Sequence, residues 1–243
     1  MKRILLLACV VLAAASCKTI TPEARIAEID GFFNGKEDTY TAKLQQYQGD
    51  TQLDYLDLVL SKDLNAKDIW TIESDGGETM VAEFPGKEKN APLSMISASL
   101  DDPAACAAIL EVLEAFKELK IQHKNTIRAV FYAPAPDSTQ QSGLAVINED
   151  IHASKEINLF DIELSTSRQL ARHTFCIEDT PAFAQQLIDA LPAYFKPLGD
   201  YHFVLQKPDP AWPLKGTIYR YDIQTGEFQK EVAAITAFTF LLN

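Results

Sequence analysis

The sequence has few basic residues, with 22 lysines and arginines against 34 aspartates and glutamates in 243 residues, which gives a formal net charge of -12. It contains no basic stripe that could neutralise nucleic-acid phosphates, and this argues against a nucleic-acid partner. Histidine is also scarce, with four residues, and none has the spacing of a His-Glu-x-x-His zinc motif. Glycine-rich phosphate-binding patterns, internal repeats and low-complexity segments are absent as well.

Long apolar runs are absent after residue 17, so no later segment is predicted to span a bilayer. The N-terminal run at residues 4–13 follows Lys2 and Arg3 and is followed by Ala-Ala-Ser and then Cys17. This pattern is typical of a bacterial lipoprotein signal, which is cleaved before a cysteine that carries acyl chains. We therefore expect a signal peptide at residues 1–16 and a mature chain that is anchored to a bacterial membrane in the cell envelope through lipidated Cys17.

An ordinary secretory signal, with Cys17 incidental, is the alternative to a lipoprotein signal. Ala14 stands where lipoprotein signals prefer leucine.

The two other cysteines of the mature chain are Cys106, in an alanine-rich apolar segment, and Cys176. In an exported protein they could pair, but the surroundings of Cys106 are those of a small core residue. We expect two buried thiols rather than a disulfide.

The rest of the chain alternates strand-like and helix-like segments. Strands are predicted at residues 68–73, 79–84, 93–100, 126–133, 157–164, 173–177, 201–206 and 217–221, and helices at 22–33, within 40–60, and at 103–119, 142–148, 180–195 and 226–242. Such alternation predicts an α/β fold, a three-layer sandwich with a central mixed, mostly parallel sheet and helices on both faces. No linker is evident, so residues 17–243 are expected to form a single domain.

Four stretches, in this order, resemble the zinc-dependent exopeptidases that include bacterial aminopeptidases and glutaminyl cyclases. ISASLDD (96–102) resembles a strand that ends in Ala-His-x-Asp, and PAACAAILEVLEAF (103–116) resembles the helix that follows it. TIRAVFYAPAP (126–136) resembles Thr-Ile-Arg-Phe-Val-Phe-Phe-Asp-Ala-Glu-Glu, and INLFDIE (157–163) resembles an Asn-Leu-Asp-Met strand. PDPAWPLKG (208–216) is a weaker match to Ser-Asp-His-x-x-Phe. The resemblance implies a zinc-exopeptidase-like fold over residues 92–243.

In that family, two histidines, two aspartates and a glutamate hold two zinc ions, and a further glutamate acts as the general base. Most of these residues are missing here. The first histidine falls on Ser99, the glutamate pair on Ala135 and Pro136, and the last histidine on Pro210. The acids that remain are Asp101 or Asp102 near the bridging position and Asp161 at the second aspartate. Asp209 and Trp212 flank Pro210, and Trp212 either borders the cleft or covers core. The remnant site therefore comprises Ser99, Asp101, Asp102, Ala135, Pro136, Asp161, Asp209, Pro210 and Trp212.

Zinc binds tightly where nitrogen or sulfur ligands accompany carboxylates, and peptide hydrolysis needs a proton acceptor. We therefore expect no catalytic residue, no zinc and no other cofactor, and a non-catalytic, pseudo-peptidase lipoprotein that binds a peptide or small ligand in the remnant cleft. One alternative is a divergent metallo-aminopeptidase or glutaminyl-cyclase-like enzyme whose site is rebuilt from Asp101, Asp102, Asp161 and His202. Another is a surface assembly or interaction protein.

Overall fold

A computed structural model describes residues 20–47, 49–88, 93–137, 141–147, 159–167, 170–178, 181–207 and 217–243. The segment expected to be a signal peptide (residues 1–16), Cys17, Asp209, Pro210 and Trp212 lie outside the described residues. Within the described part, no helix is both long enough and apolar enough to cross a bilayer.

The described strands form an eight-stranded sheet; three described helices precede the first strand, three lie between later strands, and one follows the last strand. The strands are β1 (Asp68–Ser74), β2 (Gly77–Phe84), β3 (Leu93–Ser99), β4 (Thr126–Tyr132), β5 (Leu159–Ser165), β6 (Thr174–Glu178), β7 (His202–Leu205) and β8 (Thr217–Asp222). The helices are α1 (Pro22–Phe33), α2 (Thr41–Leu44), α3 (Asp50–Leu58) with a π-helical turn at Val59–Asp63, α4 (Pro103–Glu118), α5 (143–147), α6 (Pro181–Phe195) and α7 (Phe228–Leu242). A 3₁₀ turn at Thr225–Glu227 precedes α7.

The strand order across the sheet is β1-β2-β4-β3-β5-β8-β6-β7. Four of the seven pairings are parallel, and those that join β4, β3, β5 and β8 form the centre of the sheet. The β1–β2 hairpin, its pairing with β4, and the β6–β8 pairing are antiparallel. The predicted α/β fold with a mixed, mostly parallel sheet is confirmed. Parallel neighbours bring the carboxyl ends of β4, β3, β5 and β8 to one edge, where such sheets place their sites.

The main core lies on one face of the sheet, against α1, α4, α6 and α7. Helix α4 is nearly all apolar and buried, and it packs on β3 and β5 because Ala105, Ala107 and Ala108 allow close approach. A smaller core on the opposite face joins β2, β3 and β4 to α5. Its buried residues are Val81, Leu93, Met95, Val130, Leu144 and Ile147. Cys106 and Cys176 are both buried and are not joined by a disulfide, as expected.

Candidate functional site

A cleft of about 440 Å³ opens at the carboxyl edge of the central strands. Its floor is the end of β3 at Ser99 and the end of β5 from Glu163 to Ser165, and its wall is the start of α4 at Asp102. The described residues that line it are Gln45, Ser99, Asp101, Asp102, Pro103, Ala104, Tyr132, Glu163, Leu164, Ser165, Thr166, Ser167 and Thr225. The lining is rich in hydroxyls and carboxylates, and none of these residues is a histidine.

Asp102 is the N-cap of α4, and the structure explains why this acid and Pro103 follow the strand. Its Oδ1 accepts a hydrogen bond from the Ala105 amide at 3.1 Å, which satisfies one of the open donors at the helix start. Its Oδ2 accepts two more, from the Thr166 amide at 2.7 Å and the Thr166 hydroxyl at 2.9 Å. Asp102 thus ties α4 to the segment that leaves β5, and both of its oxygens are engaged.

Glu163 is the carboxylate at the floor of the cleft, and it is not among the site residues that the sequence predicts. Tyr132 donates to its Oε1 at 3.1 Å, and Arg220 Nη1 on β8 donates to its Oε2 at 2.9 Å. Arg220 also donates to Glu178 on β6, through Nε at 2.5 Å and Nη2 at 3.4 Å. Glu163, Arg220 and Glu178 are all almost completely buried, so the cleft lies above a buried ion network spanning three neighbouring strands.

Asp161, the expected second aspartate ligand, lies deeper than the cleft. It pairs with Met95 on β3 and Ile218 on β8, and it precedes Glu163 by two positions on the same face of β5. At about 3.3 Å per residue it lies about 7 Å below Glu163 along the strand. Its side chain is fully buried and accepts a hydrogen bond from Ser97 at 2.9 Å. Asp161 therefore belongs to the polar layer beneath the cleft, and Glu163 occupies the position at the cleft floor.

Ala135 and Pro136, which replace the glutamate pair, are also absent from the described cleft lining. The loop that carries them bends toward the β1–β2 hairpin. The Ala133 amide donates to Thr79 Oγ1 at 2.9 Å, and the Gly143 amide donates to the Ala133 carbonyl at 2.9 Å. Gly76 of the hairpin approaches this loop so closely that a Cβ there would lie 2.0 Å from the Pro134 carbonyl oxygen. These contacts attach residues 133–134 to the hairpin and to the start of α5.

The histidine of the rebuilt-enzyme alternative is not at the cleft. His202 is the first residue of edge strand β7 and is exposed. Strands β8 and β6 separate β7 from β5, so His202 is about 14 Å from the β5 axis at the usual strand spacing. The structure brings Ser99, Asp101 and Asp102 together at the cleft, and it does not bring His202 or Asp161 there.

The donor set at the cleft does not fit a pair of zinc ions. No described lining residue supplies a nitrogen or sulfur ligand, and Asp102 and Glu163 already accept hydrogen bonds on both carboxylate oxygens. Cys106 is next to the cleft, but its Sγ contacts the Ser99 carbonyl at 3.2 Å inside the core. Complete burial, with Asp102 and Asp101 adding to it, raises the pKa of the Cys106 thiol, so the thiolate that binds metal is disfavoured.

No protein-family model and no curated protein sequence matches the chain. Solved structures do match it in fold. The aminopeptidase LapA of Legionella pneumophila superposes with a TM-score of 0.57 at 11% identity, over 88% of this chain and 72% of LapA. A peptidase M28 precursor from Shewanella amazonensis SB2B gives 0.56 at 17% identity, over 68% of this chain and 44% of its own length.

A third match covers almost the whole of both proteins. A putative Zn-dependent exopeptidase from Bacteroides vulgatus ATCC 8482 superposes with a TM-score of 0.53 at 12% identity, over 91% of this chain and 96% of that one. Identities this low show a shared fold and do not carry an activity across. The strand order, the parallel centre of the sheet and these superpositions together identify the fold of this chain as that of the zinc-dependent exopeptidases.

Proposed function

We propose that this chain is a non-catalytic protein with an exopeptidase fold, which binds the free amino terminus of a peptide, or a small amine, in the cleft at Ser99, Asp101 and Asp102. The observation that carries the proposal is that the chain's own donors engage both oxygens of Asp102 and of Glu163. A metal ion would have to displace the N-cap of α4 or break the buried ion network beneath the cleft.

The absence of catalysis that we propose follows from the residue types at the sequence positions where the fold family has its ligands and base. Hydrolysis of a peptide bond by this fold family needs metal-bound water and a carboxylate base. The sequence has Ala135 and Pro136 where the glutamate pair is expected and Pro210 where the last histidine is expected. None of these side chains can bind a metal or accept a proton.

The ligand class follows from the polarity of the lining. Asp101 is exposed at the rim, and its amide is held by Ser99 Oγ at 3.3 Å. Ser165, Thr166, Ser167 and Thr225 add hydroxyls around the same space. A carboxylate among hydroxyl acceptors is suited to an ammonium group, because hydrogen bonds between charged partners are the stronger ones. The proposed location, lipid-anchored in the cell envelope, would give the cleft access to extracytoplasmic peptides.

Peptide binding to the chain without its first 17 residues tests this proposal. Short peptides with a free amino terminus are expected to bind, and the same peptides with an acetylated amino terminus should bind about tenfold more weakly or worse, since a charge-assisted hydrogen bond contributes about 1.5–3 kcal/mol. Asp101→Asn should reduce binding of the free peptide by a similar factor. Asp54→Asn, which changes an exposed acid outside the cleft, serves as the matched control and should leave binding unchanged.

An enzyme assay tests the non-catalytic assignment. Aminoacyl chromogenic substrates are incubated with the chain in the presence of added zinc, and no turnover above background is expected. Turnover that a chelator abolishes and zinc restores would refute the non-catalytic assignment. Equal binding of free and acetylated peptides would refute the ammonium-binding cleft.

A further inference from the structure

A second cluster of ligating side chains lies where β6 begins and α7 begins. His173 is the residue immediately before β6, and Glu227 and Glu231 lie one turn apart at the start of α7. The Nε2 atom of His173 is 3.2 Å from Glu227 Oε2 and 3.1 Å from Glu231 Oε1. None of the three residues lines the cleft, so this cluster is independent of the proposed ligand site.

Hydrogen bonding within the chain does not satisfy this cluster. Both carboxylates face the same ring nitrogen, and a single Nε2–H has one proton to donate. The contact with Glu227 has hydrogen-bond geometry. Glu231 Oε1 is buried and accepts no hydrogen bond from any described residue, and the Glu231 side chain is 0% exposed. A buried carboxylate oxygen without a donor is costly, and a cation removes that cost.

The two nitrogen–oxygen spacings fit a bound transition metal, and the three ligand atoms all lie within 4.8 Å of one another. Zinc bonds of about 2.0–2.2 Å in a tetrahedral arrangement place neighbouring ligand atoms about 3.3–3.6 Å apart. The observed nitrogen–oxygen separations of 3.1 and 3.2 Å require only small adjustments to reach this range. We propose that His173, Glu227 and Glu231 form a binding site for a divalent transition metal such as Zn²⁺, with water completing the coordination.

Neighbouring residues support the ligands in the way that outer partners do at metal sites. The Tyr221 hydroxyl donates to Glu231 Oε2, which fixes the carboxylate and leaves Oε1 directed at His173. The Tyr201 ring packs against the His173 imidazole, with ring centroids 5.0 Å apart. His173 has a φ of +53°, a conformation that is uncommon outside glycine, and this backbone turns its ring toward α7.

Two cations compete with a metal at this site, and both can move away. Arg172 Nη2 is 2.6 Å from Glu227 Oε2, and its side chain is 58% exposed. Lys230 Nζ is 4.0 Å from the same oxygen and is 43% exposed. Both side chains are long and largely in solvent, whereas His173 and Glu231 are held by packing. The metal therefore competes with exposed ion pairs, which are individually weak.

Zinc titration of the metal-free chain tests the site directly. After chelator dialysis, the chain is expected to bind a single Zn²⁺ per molecule by elemental analysis and to melt at a higher temperature with zinc present. His173→Asn and Glu231→Gln should both lose the bound zinc. Asparagine tolerates positive φ, and glutamine preserves the shape of Glu231, so both variants are chosen to keep the fold. His202→Ala removes an exposed histidine elsewhere and should bind zinc normally.

Three further measurements discriminate among the outcomes. Co²⁺ should give the intense visible absorption of a low-coordinate site in the parent chain, and this absorption should be absent in Glu231→Gln. Arg172→Gln removes a competing charge and should tighten zinc binding several-fold. Calcium should not bind, because it needs six to eight oxygen ligands.

The site would be overturned if the parent chain bound no zinc above background. It would also be overturned if His173→Asn and Glu231→Gln both retained zinc. Zinc that those two variants retain but Asp102→Asn loses would lie in the cleft, and it would contradict the non-catalytic assignment as well.

Discussion

At the scale of single residues, the side chain of Asp102 has two structural roles. Its Oδ1 caps α4, and its Oδ2 holds Thr166 through two hydrogen bonds. A catalytic carboxylate needs oxygens that are available to metal or substrate, whereas those of Asp102 serve the fold. The acid that the family resemblance identifies as a metal-ligand remnant is therefore explained by helix capping and by attachment of the segment after β5.

Asp102→Ala and Asp102→Asn separate these two roles. Asparagine is a good N-cap and its Oδ1 can still accept from the Ala105 amide, but the NH2 group that replaces Oδ2 cannot accept a hydrogen bond from Thr166. We expect Asp102→Ala to lower the free energy of unfolding by about 1–2 kcal/mol and Asp102→Asn to lower it by less. Amide hydrogen exchange should accelerate at Thr166 in both variants and at Ala105 only in Asp102→Ala. Unchanged exchange at Thr166 in both would contradict the described contact.

The buried thiol of Cys106 gives a prediction about its rate of alkylation at high pH. Burial raises the pKa of its thiol, so the fraction of thiolate at any given pH is smaller than for a free cysteine, and the thiolate is the form that alkylating agents attack. The Cys176→Ala variant without residues 1–17 retains Cys106 as its one cysteine. In the native state of this variant, iodoacetamide should label Cys106 very slowly even at pH 9. The same chain in guanidinium chloride provides the control and should react at once. Rapid native labelling at neutral pH would show that Cys106 is accessible.

At the scale of elements, the buried network of Glu163, Arg220 and Glu178 joins β5, β8 and β6. Arg220 is bidentate toward Glu178 and also binds Glu163. Its removal leaves two buried carboxylates facing each other without a cation between them. Breaking such an arrangement by removing one partner costs far more than losing a surface ion pair.

Arg220→Met is therefore expected to lower the free energy of unfolding by about 3–5 kcal/mol, measured by urea unfolding. Arg128→Met is the comparison, because Arg128 pairs with one carboxylate, Glu83 at 2.9 Å, and both side chains are 21% exposed rather than buried, with the guanidinium also over the Trp70 ring. That variant should lose about 1 kcal/mol or less. Equal losses in the two variants would mean that the network adds nothing beyond an ordinary ion pair.

The elements were largely predictable because local signals determine them. The Asp-Gly-Gly turn predicts the β1–β2 hairpin, which the structure confirms with Gly77 at a φ of +112°. The alanine-rich apolar run after Pro103 predicts α4, which the structure confirms at Pro103–Glu118. The terminal helix begins at Phe228 rather than at Gly226 because residues Thr225–Glu227 form a 3₁₀ turn first.

The site was less predictable because it depends on contacts distant in sequence. Glu163 rather than Asp161 lies at the cleft because the depth of a side chain depends on the register of β5 with its neighbours. His173 and Glu231 are 58 positions apart in the sequence, and a tertiary fold alone brings them into contact. The available signal was two glutamates four positions apart at a helix start, a spacing that places both on one face. Nothing in the sequence pointed to the histidine that would join them.

At the scale of the whole molecule, the location that we propose, lipid-anchored in the cell envelope, depends on Cys17. A helix that could anchor the chain is absent from its described residues. The proposed membrane attachment is through lipid at Cys17, as the signal-like pattern of residues 1–17 predicts. Acyl chains bind a bilayer through their buried methylene groups, and more than one chain is needed for stable anchoring.

Cys17→Ser tests this anchoring in a bacterial host that processes lipoproteins. The parent chain is expected to incorporate labelled palmitate and to partition into the detergent phase, and Cys17→Ser should do neither while folding to the same melting temperature. Cys9→Ala, which changes a cysteine inside the segment to be removed, is the control and should behave like the parent. If Cys17→Ser instead remained in the detergent phase, the anchor would lie elsewhere. If the parent were released as an unlabelled soluble chain, the N-terminal segment would be an ordinary secretory signal, and the cleft would meet its ligands in solution rather than at a membrane surface.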